Sequence, residues 1–282
     1  IQAGAGANTL DFSASATGLH ATFKADGSRT LAIGGHTTDY SGGLATVVGG
    51  SAADSFVFAD GATFAGAIAG GAGANTLDFS AATTSLNATF KADGSRTLAI
   101  GGHTVEYSGV LATLVGGSAA DSFVFADGAT FAGAIQAGAG ANILDYSAST
   151  ADLTVTFHAG GGLTMVDGSN SATFAGTLAT FTGGSGADVF AFENGATFAG
   201  LLDGGAGVNS LDFSACKTPV LVDLGSGALS LGGTIVGSSM VGFSGATTVN
   251  SLNQGAGVNT ATLAGTTTLA SLGVNADRKS VV

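Results

Sequence analysis

The sequence predicts an all-β protein, a parallel β-solenoid of the β-helix or β-roll kind. Three observations carry that expectation. First, the chain copies itself at a fixed interval: Asn8, Asn75, Asn142 and Asn209, evenly spaced, recur in the frame Asn-x-Leu-Asp-Phe/Tyr-Ser, and Asp54, Asp121 and Asp188 recur at the same interval inside Gly-Gly-Ser-x-Ala-Asp. Asn8–Ala74 and Asn75–Ala141 agree at 57 of 67 positions. Self-similarity at fixed period marks an architecture whose units bury their apolar faces against their neighbours. Second, apolar residues within a unit alternate at the strand period of two. Third, Gly-Gly, Asp-Gly and Asn-Gly pairs separate these runs and supply positive φ at corners. No stretch reads as an amphipathic helix longer than a turn or two, so short strands with glycine corners define the class.

Taken in order, Asn75-Thr-Leu-Asp-Phe79 places Leu77 and Phe79 on one face of a strand, and Asp54-Ser-Phe-Val-Phe58 does the same for Phe56 and Phe58. Thr63–Ile68 puts Phe64 and Ile68 together. These side chains are expected to stack inward, each contributing about 1.5–3 kcal/mol when buried. The segment Leu86–Ile100 fits two readings equally well within a solenoid, a β-hairpin about Asp93-Gly94 or a corner between solenoid faces. The interval from Asn75 to Asp121 is a little over twice that from Asp54 to Asn75. One unit then reads as about three coils of about 22 residues each.

Residues 1–276 divide into units 8–74, 75–141 and 142–208, a degenerate unit 209–258 and a partial one, 259–276. Ile1–Asn8 duplicates Ile135–Asn142, so the chain reads as a segment of a longer array that starts in mid-repeat. Residues 277–282 break abruptly in composition and are set apart as a non-native tail.

Composition narrows the function. Glycine is 49 of 282 residues with one proline and no Gly-X-Y period, which excludes collagen, and an apolar fraction of 45% argues against disorder. Charged residues are only 9%, so the surface must be largely Ser, Thr, Asn, Gly and Ala, as suits an extracellular repeat. The net charge of −12 makes nucleic acid and acidic membrane surfaces poor partners. No run approaches the roughly 18 apolar residues of a spanning helix. A single cysteine, Cys216, cannot form an internal disulfide.

One motif carries chemistry. Gly183-Gly-Ser-Gly-Ala-Asp-Val-Phe-Ala191 fits the calcium-binding nonapeptide Gly-Gly-x-Gly-x-Asp-x-apolar-x, with Gly183, Gly184, Gly186 and Asp188 as its cation corner and Asp54 and Asp121 as partial equivalents. Ala52 and Ala119 replace the third glycine, the glycine corners at 71, 138 and 204 lead to Asn75, Asn142 and Asn209 instead of Asp, and the motifs are not in tandem. The plainer expectation is a corner whose Asp or Asn side chain hydrogen-bonds the backbone of its own turn. Calcium is therefore an optional cofactor and none is required.

The run Gly204–Ala215, Gly-Gly-Ala-Gly-Val-Asn-Ser-Leu-Asp-Phe-Ser-Ala, followed by Thr218-Pro-Val-Leu-Val-Asp-Leu-Gly-Ser-Gly, resembles the repeats of very large bacterial surface proteins. These are filamentous-haemagglutinin-like or autotransporter-like adhesins, many bearing haemolysin-type (RTX) calcium nonapeptides. The resemblance spans residues 1–276. It implies an extracellular or cell-surface solenoid, a stalk or adhesive passenger whose partners are a surface receptor, a glycan or neighbouring solenoid segments.

Catalysis has less support. Nearly every charged residue belongs to a repeated set (Lys24/Lys91, Asp26/Asp93, Arg29/Arg96, His36/His103, Asp39/Glu106), whereas an enzyme assembles one unique patch. His20, His158, Cys216 and Lys217 are unrepeated, and nothing in the sequence brings them together. Lys91–Arg96 reads as two cations around a turn aspartate, pairing locally at the surface. The expectation is thus a non-catalytic structural or adhesive segment. An RTX-like calcium module that folds after secretion is the alternative, and a β-helix enzyme acting on polysaccharide the remote one.

Overall fold

The computed structural model is all-β, with no helix among its described residues, and its pairing is mostly parallel. It describes residues 1–198, 200–207, 209–212 and 215, and beyond these the backbone of seven further strands. The chain divides into two compact units, Ile1–Asn142 and Ile143–Val282. The first holds two copies of the repeated sequence.

In the first unit the strands run β1 (Thr9–Asp11), β2 (Leu19–Phe23), β3 (Arg29–Ile33), β4 (His36–Tyr40), β5 (Thr46–Val48), β6 (Ser55–Phe58) and β7 (Gly66–Ala69). The second copy repeats them as β8 (Asn75–Asp78), β9 (Leu86–Phe90), β10 (Arg96–Ile100), β11 (His103–Ser108), β12 (Leu111–Val115), β13 (Ser122–Phe125) and the start of β14 (Ala134–Asp145). Pairing sorts them into two ladders of seven. One is β4-β3-β2-β6-β8-β12-β14. The other is β1-β5-β7-β11-β10-β9-β13. The chain changes ladder after every strand except within β2-β3-β4 and β9-β10-β11, which are antiparallel meanders.

A consequence follows from the count. Each sequence copy contributes seven strands, arranged as five ladder visits, and five is odd. Every strand of the second copy therefore occupies the ladder opposite its equivalent: β1 and β8, β2 and β9, and β6 and β13 are on different ladders.

The three-coil division of the unit needs correcting on this point. Where no meander intervenes, parallel partners share one short sequence offset, as in Ser55↔Thr76 and Thr113↔Ala134. Elsewhere the offset is far longer, as in His20↔Ser55, Thr9↔Thr46 and Val105↔Gly66, because a hairpin has been inserted. Leu86–Ile100 is the hairpin, with Phe90 opposite Arg96, and not a corner between faces. Its turn at Asp93-Gly94 is closed by Asp93, whose Oδ1 accepts the Ser95 N–H at 2.8 Å, while Gly94 takes the left-handed φ of +78°.

The core lies between the ladders. Phe56, Phe58, Phe64, Leu77 and Phe79 are all buried, as their spacing requires. Within a ladder the rings stack in register: Phe23 on Phe58 at 4.6 Å, Phe58 on Phe79 at 4.3 Å, and in the second ladder Phe90 on Phe125 at 4.4 Å. Across the ladders Phe56 meets the edge of Tyr107 at 6.4 Å. Burial alternates along the phenylalanine-bearing strands Ser55–Phe58 and Leu86–Phe90, so a register slip of one residue would expose their phenylalanines.

The second unit repeats the scheme. The end of β14 leads to β15 (Leu153–Phe157), β16 (Leu163–Asp167) and β17 (Asn170–Thr182), an antiparallel meander, then β18 (Val189–Phe192), β19 (Leu201–Asp203) and β20 (Asn209–Asp212). β15 pairs with β18 and β18 with β20, both in parallel; β17 pairs with β19. Further on are β21 (Val220–Asp223), β22 (Ala228–Leu231), β23 (Phe243–Ser244), β24 (Thr248–Asn253), β25 (Asn259–Thr262), β26 (Thr268–Gly273) and β27 (Lys279–Val281). β20 continues in parallel into β24 and β26, and β21, β25 and β27 form a second small sheet with β22. Cys216 and Lys217 lie outside the described residues.

Candidate functional site

The residues of the nonapeptide motif occupy the corners before β6, β13 and β18, and there they bind backbone. The Asp54 side chain is buried, and each of its oxygens accepts an N–H: Oδ1 from Leu19 at 2.7 Å and Oδ2 from Gly50 at 2.8 Å. Asp121 takes Leu86 and Gly117 at 2.8 and 3.0 Å, and Asp188 takes Leu153 and Gly184 at 2.9 and 3.1 Å. One oxygen closes the residue's own turn, as the sequence suggests. The other reaches 35 residues back to the first residue of the meander and anchors it beside the corner.

The asparagines complete the arrangement. Asn75 Oδ1 accepts the Asp54 N–H at 2.8 Å; Asn142 accepts that of Asp121 at 2.8 Å, and Asn209 that of Asp188 at 3.0 Å. Asn75 Nδ2 donates to the carbonyls of Gly70 (3.0 Å), Ala72 (3.1 Å) and Val110 (2.9 Å). Donor and acceptor supply thus decides which residue stands where. The corner before β6 offers the side chain two N–H donors, so it needs a group that only accepts. The corner before β8 offers one N–H and three carbonyls, so it needs an amide. The Asp and Asn positions thus carry two different hydrogen-bonding tasks.

Glycine at these corners permits the close stacking. A β-carbon on Gly71, whose φ is +73°, would lie 2.2 Å from the Gly50 carbonyl oxygen of the adjacent corner, and Gly138 and Gly205 are equally confined. Burial pushes the Asp188 carboxyl up to about 6, the nearby charges of Asp152 and Asp167 adding to the effect against the two N–H donors. Asp121 is raised for the same first reason, burial. No three of the His, Cys, Asp and Glu side chains among the described residues lie grouped for a metal ion. Gly183, Gly184, Gly186 and Asp188 are brought together at one corner, whereas Asp54 and Asp121 belong to separate corners on different ladders.

No protein-family model matches the chain, and no curated protein resembles it closely enough in sequence to count as a match.

The cationic segment differs from the expectation of a solvated turn. Lys91 does pair at the surface, with Glu106 at 3.0 Å rather than with Asp93, and Lys24 lies 3.6 Å from Asp39. Arg96 is buried instead. Its guanidinium donates to the carbonyls of Gly94, Gly109 (3.0 Å) and Thr130 (3.3 Å) and packs against Phe131 at 5.6 Å and Tyr107 at 6.0 Å. Arg29 repeats this on Gly42 and Phe64. These arginines hold loops together; Leu163 stands at the same place in the third copy.

Sequence spacing also missed one grouping. The unrepeated His158 meets Glu193 through Nδ1 at 3.1 Å and Thr164 Oγ1 through Nε2 at 2.8 Å. His158 holds the place of Lys91, and Glu193 replaces Ala126, so the partner in the third copy comes from the end of the strand that follows the meander rather than from the meander's third strand. His20 and His36 are exposed, on the outer face of β2 and beyond the Gly34-Gly35 turn respectively. A shallow apolar cleft of about 230 Å³ opens between Phe58, Ala62, Ala82, Thr84, Ile100 and His103.

Proposed function

We propose that this chain is a non-catalytic structural segment of a large secreted or cell-surface protein, a two-faced parallel β-solenoid that spaces or displays an adhesive surface. The observation that supports this reading is the Asp–Asn corner, built three times with the same partners. Polar side chains that a binding or catalytic site would expose are used here to join one layer of backbone to the next. Each joint satisfies buried N–H and carbonyl groups that would otherwise cost about 1–3 kcal/mol apiece. The same reading accounts for low charge and for surface pairs such as Lys91–Glu106, which contribute under about 1 kcal/mol.

Displayed groups would alternate between two faces, because successive copies exchange ladders. A receptor or glycan would then meet equivalent surfaces once per two copies on a given face, and avidity would substitute for strong single contacts. Seven strands shared between two ladders add three and a half layers per copy, or about 17 Å at ~4.8 Å per strand. Small-angle scattering of the chain and of a chain lacking Asn75–Ala141 tests this: shortening by about 17 Å at unchanged cross-section is expected. An unchanged maximum dimension would overturn the solenoid and, with it, the spacing role.

A further inference from the structure

Two arginines are buried without a counter-ion. Arg96 is 5% exposed and Arg29 7%, and no carboxylate among the described residues forms an ion pair with either. A guanidinium carries five N–H donors. Arg96 uses three of them, on the carbonyls of Gly94, Gly109 and Thr130, and Arg29 uses one, on that of Gly42. Arg96 Nε is buried with no acceptor. Carbonyls and aromatic faces leave the positive charge itself unpaired, and burial pulls both groups below the usual arginine pKa. A charge removed from water is ordinarily paired, because the lost hydration is costly. A buried donor left without an acceptor points to a partner from outside the chain.

Arg96 also lines an open groove. It holds about 470 Å³ between the Gly71-Ala72 corner, the Asp93-Gly94 turn, Val110 and Thr130. These walls all come from inside the array. The third copy forms the same groove from Gly161, Thr177 and Thr197, with Leu163 in place of Arg96 and Gly160 in place of Asp93. The groove thus belongs to the repeat, and its two charged residues are replaced together.

We propose that the Arg96 groove binds a carboxylate, supplied by an acidic sugar of a glycan or by a small free acid. The planar guanidinium matches a carboxylate in shape and charge. No other residue lining the groove is cationic. Asp93, whose Oδ1 accepts the Ser95 N–H and hydroxyl at 2.8 and 2.6 Å, stands beside the site and weakens binding of a bare anion. Its carboxylate also accepts hydrogen bonds from sugar hydroxyls, and the exposed Val110 offers an aliphatic surface to a sugar ring. Both features favour the sugar as the source. Only that choice of source rests on the glycan reading above.

The experiment titrates the full chain, with its arginines labelled with nitrogen-15, with sodium acetate, sodium glucuronate and glucose at constant ionic strength. The Arg96 Nε–H resonance should move saturably with both carboxylates and stay in place with glucose. A glucuronate midpoint about fivefold or more below that of acetate assigns the sugar as the source, and equal midpoints assign a small acid. Asp93→Asn keeps the acceptor of the turn and should tighten acetate binding about threefold. Arg96→Leu, the residue that the third copy carries, should abolish the shifts of the Gly94 and Val110 amides. No saturable movement up to about 100 mM carboxylate would overturn the proposal. So would an equal response to glucose, or shifts that survive in Arg96→Leu. None of these outcomes changes the length read by scattering, so failure of the site and failure of the solenoid are told apart.

Discussion

Changing Asn75 to aspartate replaces one atom group by another of the same shape, and the corner chemistry makes it among the least tolerable substitutions. Asn75 is fully buried, with its amide hydrogens shared among the Gly70, Ala72 and Val110 carbonyls and its oxygen accepting the Asp54 N–H. The aspartate keeps the last of these and loses the donors. Two hydrogen bonds at about 1 kcal/mol each, plus about 2 kcal/mol for carbonyls left facing an acceptor, give a loss of about 4 kcal/mol at neutral pH. The new carboxyl is better tolerated protonated, since one O–H can then reach a carbonyl. Its folded pKa must lie above its unfolded value, so the folded state holds the proton more tightly and the penalty grows as pH rises between the two. Urea denaturation at pH 7 and pH 4.5 measures both quantities. A loss below about 1 kcal/mol at pH 7, or a penalty that is larger in acid, would refute the assignment of Asp and Asn by donor supply.

The pair of oxygens on Asp188 carries a further expectation: its carboxyl should titrate near 6 in the folded protein, measured by side-chain carbon NMR, and a midpoint near 4 would contradict the burial that raises it. Because that value exceeds the unfolded one, this group's favourable contribution is fully present below about pH 4 and is lost as pH climbs to about 6. Arg96→Leu should cost less than about 2 kcal/mol, since Leu163 fills the same place in the third copy and the guanidinium Nε is buried without an acceptor, whereas Arg96→Ala leaves a cavity and should cost about 3 kcal/mol by denaturation. Calcium should leave the melting temperature where chelator leaves it: the Asp54, Asp121 and Asp188 oxygens already accept backbone N–H groups, and only a ligand that binds the folded state shifts the midpoint. A calcium-dependent rise of several degrees would instead support the calcium-binding nonapeptide reading.

The parts of this fold that depend on local pattern were legible in the residues. Period-two spacing placed Phe56, Phe58, Leu77 and Phe79 inside, and glycine pairs placed the corners. What was not legible depends on partners far along the chain. An Asp93-Gly94 turn has the same chemistry whether the strands beside it pair with each other or step to another face; the choice is made by the distant β13, which pairs with β9 and leaves β10 on the other side of it. Half of the Asp54 role was readable in its own turn, but the Leu19 N–H that demands a second acceptor is 35 residues away. Arg96 looks like a surface cation until Phe131 and the Thr130 carbonyl fold over it.

Cysteine cross-linking addresses the two-ladder topology most directly. In a chain with Cys216 changed to serine, Thr76→Cys with Thr113→Cys places the thiols on neighbouring parallel strands, where β8 and β12 hold these residues in register. Adjacent strands sit about 4.8 Å apart, within the span a disulfide accepts. Thr76→Cys with Thr97→Cys tests the uniform three-coil division instead, since Thr97 lies on the other ladder opposite Thr89 and Glu106. Mild oxidation should join 76 to 113 and leave 76 and 97 free. A disulfide between 76 and 97, with 76 and 113 reduced, would contradict the alternating ladders.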